Sequence, residues 1–87
     1  MYAEVGKSAS IACKIDSEGI VTWTKDGDSF TDAAIYSAGT FDTDNDEQTS
    51  TLSFASVSKD NEGVYVCTFK SLSATFTLDA YGMLYTT

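Results

Sequence analysis

Two kinds of side chain in this 87-residue sequence could carry chemistry: a pair of cysteines and a run of alternate aspartates. Cys13 and Cys67 are the only cysteines, and a thiol becomes a nucleophile or a metal ligand only where its surroundings favour the thiolate. The chain has no histidine, so Ser-His-Asp and Cys-His nucleophilic sites are excluded. We therefore expect that the chain is not an enzyme and that it needs no cofactor.

The alternate aspartates are the candidate cation ligands. Asp42, Asp44 and Asp46 have the alternate spacing of a calcium-binding loop, which holds the ion with carboxylate and carbonyl oxygens. The match is incomplete, because Glu47 stands where such a loop has glycine and Ser53 stands where it has its last acidic ligand. Two alternatives therefore remain open: a cation site, or a solvated acidic connection between strands.

The charge balance argues against two classes of partner. The chain carries 13 acidic and 5 basic side chains, for a formal net charge of −8. Phosphate recognition needs clustered Lys and Arg, so we do not expect nucleic acid as a ligand, and an anionic membrane surface is disfavoured for the same reason. No apolar run approaches the roughly 20 residues of a membrane-spanning helix. The charge favours either solubility alone or association with a basic partner.

Apolar side chains alternate with polar ones, which is the pattern of half-buried β-strands. The alternation predicts strands at 8–15, 20–25, 51–54, 63–69 and 74–80, and a short edge strand at 34–36. Turn clusters separate these segments. Among the residues that the alternation places on inward faces are Cys13, Trp23, Leu52, Tyr65 and Cys67. Short strands with frequent turns predict an all-β sandwich or small barrel.

Three motifs resemble the immunoglobulin superfamily, and in particular its intermediate (I-type) set. They are Glu4-Val5-Gly6-Lys7-Ser8-Ala9-Ser10-Ile11-Ala12-Cys13, Trp23-Thr24-Lys25-Asp26-Gly27 and Gly63-Val64-Tyr65-Val66-Cys67. The resemblance implies a sandwich of two antiparallel sheets, one inter-sheet disulfide between Cys13 and Cys67, and a tyrosine corner at Tyr65. It covers essentially all of residues 1–87, so we expect one immunoglobulin-like domain, excised from a longer protein.

One position departs from the family pattern. The family usually has aspartate two residues before the glycine of Gly-x-Tyr-x-Cys, and this chain has Asn61 there. Asparagine can still accept a turn hydrogen bond, but it cannot form the ion pair that variable-type domains often make. The middle segment, residues 28–48, is also short for the extra pair of strands of a variable-type domain. Both observations favour an I-type domain over a variable-type one.

The resemblance implies a protein-binding module of a cell-surface or secreted adhesion or recognition receptor. The candidate partner-binding residues lie on the strand faces opposite the core and are largely uncharged: Ile20, Thr22, Thr24, Val66, Thr68, Thr75 and Thr77. The partner would be another protein, either a second copy or a neighbouring immunoglobulin domain. The simpler alternative is that β-branched residues are there because they suit strands.

A second function remains open, which is that of a structural spacer in an array of immunoglobulin domains. An extracellular spacer would keep the disulfide. An intracellular one, of the muscle-filament type, would have reduced cysteines.

Overall fold

The computed structural model describes residues 1–82 of the chain. Within that part there are nine strands and one 3₁₀ turn at Lys59–Asn61. The strands are β1 (Tyr2–Glu4), β2 (Ala9–Ile15), β3 (Thr22–Lys25), β4 (Asp28–Ser29), β5 (Tyr36–Ser37), β6 (Phe41–Asp42), β7 (Glu47–Phe54), β8 (Gly63–Phe69) and β9 (Leu72–Tyr81).

The strands form two sheets, which confirms the predicted all-β sandwich. One sheet has five strands in the order β1-β9-β8-β3-β4, and the other has the order β2-β7-β5, with β6 also paired to β7. All pairings in the described residues are antiparallel except that of β1 with β9, which is parallel. Between β4 and β7 there are only the two-residue strands β5 and β6, and both pair with β7.

The strand boundaries agree with the sequence prediction in part. The strand predicted at 63–69 is confirmed as β8, but β3 begins at Thr22, so Ile20 lies in the preceding loop. The strand predicted at 74–80 begins earlier than expected, because β9 already starts at Leu72 and pairs there with Phe69. The turn lies at Lys70 and Ser71, with Lys70 at a φ of 54°. A lysine in the left-handed region has no local sequence signal, since glycine and asparagine are the residues that favour it.

The hairpin between β3 and β4 has the turn conformation that its Asp-Gly sequence favours. Asp26 and Gly27 have φ values of 52° and 89°, as a two-residue type I′ turn requires and as Asp-Gly favours. The Asp26 carboxylate accepts a hydrogen bond from the Val64 amide at 2.9 Å. The turn is therefore joined to β8 as well as closing its own hairpin.

The core lies between the sheets, on the inward faces that the alternation defines. Leu52 and Tyr65 are completely buried, and Trp23 is 2% exposed. The rings of Phe30 and Phe54 pack edge-on to Tyr65, with centroids 5.7 and 5.9 Å away. Such aromatic pairs contribute more than their buried area alone.

In the described part of the chain no helix is long and apolar enough to cross a membrane.

The sequence leaves open whether the apolar segment 81–85 continues the last strand or begins another segment. β9 ends at Tyr81, and residues 83–85 lie outside the described residues.

Candidate protein-binding surface and the core that supports it

The two sheets are joined covalently by the disulfide. Cys13 of β2 and Cys67 of β8 are bonded, with Cα atoms 6.5 Å apart, which confirms the disulfide that the family resemblance implied. Both residues are buried. Cys67 lies directly opposite Trp23 in the β3–β8 register, so the disulfide and the indole lie in one layer of the core.

A buried polar chain beside the disulfide also joins the sheets. The Trp23 Nε1–H donates to Ser50 Oγ at 2.9 Å, and the Ser50 hydroxyl donates to the Ser37 carbonyl at 2.8 Å. Ser50 is completely buried. Its hydroxyl gives the indole of the five-stranded sheet an acceptor and also donates to a backbone carbonyl of β5 in its own sheet, so each buried polar group has a partner.

Gln48, the other buried polar residue among residues 1–82, holds two loops in place. Its side chain accepts from the Gly19 amide at 3.3 Å and donates to the carbonyls of Gly19 and Ala38 at 3.1 and 3.2 Å. Sequence reasoning did not select Gln48 or Ser50. The signal was present, because the inward alternation of Leu52 and Phe54 continues backwards through both positions.

Tyr65 secures the corner before β8. Its hydroxyl donates to the Asn61 carbonyl at 2.5 Å, and the Asn61 side chain accepts from the Ser58 amide at 2.7 Å. Asparagine thus supplies the turn hydrogen bond at the position where the family usually has aspartate. Burial raises the pKa of Tyr65 to about 12, and the negative charge of Asp26 adds to the rise. The hydroxyl therefore remains a donor throughout the neutral range.

Glu62 supports the adjoining end of β9. One of its carboxylate oxygens accepts from the Ala80 amide at 3.0 Å, and the other lies 3.4 Å from Lys59 Nζ. The amide hydrogen bond, with the smaller contribution of Lys59, lowers the pKa of Glu62 below its ordinary value. The ionised form is thus favoured in the folded state.

Glu62→Gln is expected to lower the thermal midpoint at pH 7 by a small amount. A lowered folded pKa means that the carboxylate stabilises the fold above its unfolded pKa and that this contribution is lost as the pH falls through the folded pKa. The difference in midpoint between wild type and variant should therefore disappear in acid. Thermal unfolding at several pH values, followed by circular dichroism, measures it. Glu18→Gln, at an exposed loop position, is the control, and a pH-independent difference would contradict the prediction.

The outer face of the five-stranded sheet brings six of the seven candidate partner-binding residues together. Thr22 lies opposite Thr68, and Thr24 lies opposite Val66, which in turn lies opposite Thr75. Thr77 lies opposite Val64 in the next row. We call this surface the threonine face, with the members Thr22, Thr24, Val64, Val66, Thr68, Thr75 and Thr77. Val64, which sequence reasoning missed, is 39% exposed, and its alternation with Val66 could have indicated it.

Ile20 does not belong to the threonine face. It is 84% exposed, but it lies in the loop between β2 and β3. The alternation placed it with Thr22 because a strand was predicted to begin at residue 20. Asp79 lies at the border of the threonine face: it follows Thr77 on the same face of β9 and lies opposite Tyr2 of β1.

The three candidate cation ligands lie in one exposed hairpin between β6 and β7. Asp42 Oδ1 accepts from the Asp44 amide at 2.9 Å, and Oδ2 accepts from Asn45 Nδ2 at 2.7 Å. These bonds, with that of the Asn45 side chain largest, lower the pKa of Asp42. In residues 1–82 there is no group of three or more His, Cys, Asp or Glu side chains that could hold a metal ion. Asp42 is a turn-forming residue here.

Comparison with known proteins identifies the family. The profile of the immunoglobulin domain matches residues 1–79. The chain therefore belongs to the immunoglobulin domain family. No curated protein sequence matches it.

Solved structures share the fold at low sequence identity. The I9–I11 tandem of titin superposes with a TM-score of 0.78 at 19% identity, over 95% of this chain and 30% of the titin fragment. The N-terminal eight Ig domains of Down Syndrome Cell Adhesion Molecule (DSCAM) give a TM-score of 0.75 at 26% identity, over 94% of this chain and 13% of that one. The Ig-like domain of human Obscurin-like protein 1 gives 0.71 at 15%, over 99% and 79%. The chain thus spans a small part of the titin and DSCAM fragments.

Proposed function

We propose that this chain is a non-catalytic, protein-binding immunoglobulin domain of a cell-surface or secreted recognition protein, and that it binds through the threonine face. The observation that carries the proposal is the absence of charge on that face. Interface cores are depleted in charged residues relative to the remaining surface. In a chain with a net charge of −8, a group of threonine and valine side chains in the middle of a sheet face can be covered by another protein without removing a charge from water.

Two further observations support the extracellular part of the proposal. The Cys13–Cys67 disulfide fits an oxidising compartment, because such bonds rarely persist in the cytosol. DSCAM, whose name describes a cell adhesion molecule, shares 26% identity over 94% of this chain. The partner would be a protein with a similarly uncharged face, such as a second copy or a neighbouring immunoglobulin domain.

Val66→Lys tests the threonine face. Val66 lies in its middle row between Thr24 and Thr75, so a lysine there would place an unpaired charge in the interface. We expect binding to weaken at least about tenfold, since an uncompensated buried charge costs more than about 1.4 kcal/mol. The chain, displayed as a multivalent fusion, is first used to find binders among purified ectodomains and a second copy of itself. Affinities of wild type and variant for those binders are then compared.

Ser53→Lys is the matched control, because it adds the same charge at an exposed position of the four-stranded sheet. It should leave the affinity unchanged. Equal affinities for wild type and Val66→Lys, with both proteins folded by circular dichroism, would overturn the proposed surface. Failure of the chain to bind any ectodomain or itself would overturn the recognition function.

A spacer in an array of immunoglobulin domains is the second candidate function. It is favoured by the similarity to the titin I9–I11 tandem and to Obscurin-like protein 1, and a solved complex of titin M10 with Obscurin-like 1 Ig has the same fold, with a TM-score of 0.62. Thiol alkylation of natively purified protein, followed by mass measurement, distinguishes an oxidising extracellular location from a reducing intracellular one. Unmodified cysteines support the extracellular proposal, and two alkylated cysteines would support an intracellular spacer.

A further inference from the structure

Two strand edges at one side of the sandwich are unpaired within the described residues. β2 forms the border of the four-stranded sheet and pairs only with β7. β1 covers the edge of β9 only along the last part of that strand, from Asp79 to Tyr81. Residues 72–76 of β9 therefore have a partner on the β8 side alone. Unpaired edges present backbone amides and carbonyls to any extended chain that approaches them.

A cleft of about 460 Å³ lies where these two edges approach each other. Its lining combines the end of β2 with the start of β9, and its inner part includes Ile15, Phe69 and the disulfide. Leu72, which is 68% exposed, also lines it. The cleft therefore offers apolar contacts beside two free strand edges, which are the elements of peptide recognition by strand addition.

Carboxylates predominate at the rim of the cleft. Asp16, Asp46 and Glu47 line the cleft, and Lys14 is the one cation of the lining, 4.0 Å from Glu47. A second cation, Lys70, lies 5.4 Å from the centroid of the Phe69 ring. The rim is thus net acidic in a chain whose net charge is already −8. Electrostatic complementarity favours a basic segment, whereas a second copy of this chain would bring two acidic rims together.

We propose that the β2–β9 cleft binds an extended peptide segment of a partner protein, in which apolar residues alternate with lysine or arginine. The peptide would add as a strand to a free edge, place its apolar side chains against Leu72 and Phe69, and direct its cations towards Asp16 and Asp46. The lining of the cleft shares no residue with the threonine face, although the backbone of Thr75 belongs to the free edge of β9. Different variants therefore test this site and the proposed function.

The probe is the synthetic peptide acetyl-Lys-Val-Lys-Val-Lys-Val-Lys-amide, titrated into the isotopically labelled 87-residue chain and followed by amide chemical shifts. We expect the shifts to concentrate in 9–15 and 72–76. Asp16→Asn with Asp46→Asn should weaken binding about three- to tenfold and reduce its dependence on salt, because two exposed charges are lost. Leu72→Ala should weaken it further. Asparagine also suits the left-handed backbone of Asp46, whose φ is 52°.

Asp28→Asn is the matched control, because it removes a charge at the β3–β4 hairpin, away from the residues that line the cleft, and it should not change the affinity. Peptides that are N-methylated at alternate amides, in both registers, should lose binding in at least one register. Full binding by both N-methylated peptides, or by a peptide with glutamate in place of lysine, would overturn the proposal. Shifts confined to the threonine face, or self-association that Leu72→Ala abolishes, would overturn it as well.

Discussion

A variant with Cys13→Ala and Cys67→Ala is expected to lose about 4 kcal/mol of unfolding free energy. The disulfide closes a loop with a sequence separation of 54 residues, and the chain-entropy model gives about that value for such a loop. Small domains have only about 5–15 kcal/mol in total. The variant should therefore be near its unfolding threshold at 37 °C. Urea unfolding at 25 °C, followed by tryptophan fluorescence, measures the change.

Reduced wild-type protein is the matched control, because reduction opens the disulfide without removing sulfur atoms from the core. We expect reduced wild type to show most of the loss, and the alanine variant to show slightly more because it also leaves space between the sheets. A reduced protein as stable as the oxidised one would contradict the prediction.

Ser50→Ala is expected to lower the unfolding free energy by about 1–3 kcal/mol, although it removes only one oxygen atom. The change leaves the Trp23 Nε1–H without its acceptor in a residue that is 2% exposed, and an unsatisfied buried donor costs about that amount. The Ser37 carbonyl loses its donor at the same time. Chemical denaturation monitored by circular dichroism measures the effect.

A double-mutant cycle with Trp23→Phe tests the cause of that loss. Phenylalanine has no N–H, so Ser50→Ala should cost less in the Trp23→Phe background than in wild type. The difference is the coupling energy of the pair, and we expect about 0.5–3 kcal/mol, as for side chains in direct contact. Equal costs in both backgrounds would contradict the assigned role of Ser50. Ser53→Ala, three residues further along β7 and exposed, is the control substitution.

The sequence predicts the centre of this fold well because the signal there is regular. Alternation around Cys13, Trp23 and Cys67 follows directly from the period of a strand with one face buried. The family resemblance then implied the disulfide, and its motifs lie in β2, β3 and β8. Two of these strands, β2 and β8, lie in pairings of seven residues with β7 and β9, and many apolar contacts fix the register of such pairings at once.

The remainder could not be predicted, because short elements depend on their partners. β1 and β4 have three and two residues, too few to establish a period. The start of β9 depends on Lys70 adopting a left-handed conformation, which tertiary packing decides against local preference. The exposed face could be predicted only as a pattern, and Ile20 shows the consequence: an error of two residues in one boundary moved it from a strand to a loop.

The parallel pairing of β1 with β9 determines how the domain would respond to a pulling force. Asp79 donates to the Met1 carbonyl at 2.8 Å, and Val5 donates to the Tyr81 carbonyl at 2.7 Å. A force that draws Tyr2 and Tyr81 apart acts along both strands, so it loads these bonds together in shear. An antiparallel hairpin pulled at its open end would lose its bonds one after another. β1 has only three residues, but its parallel pairing with β9 places it where it resists extension of the chain.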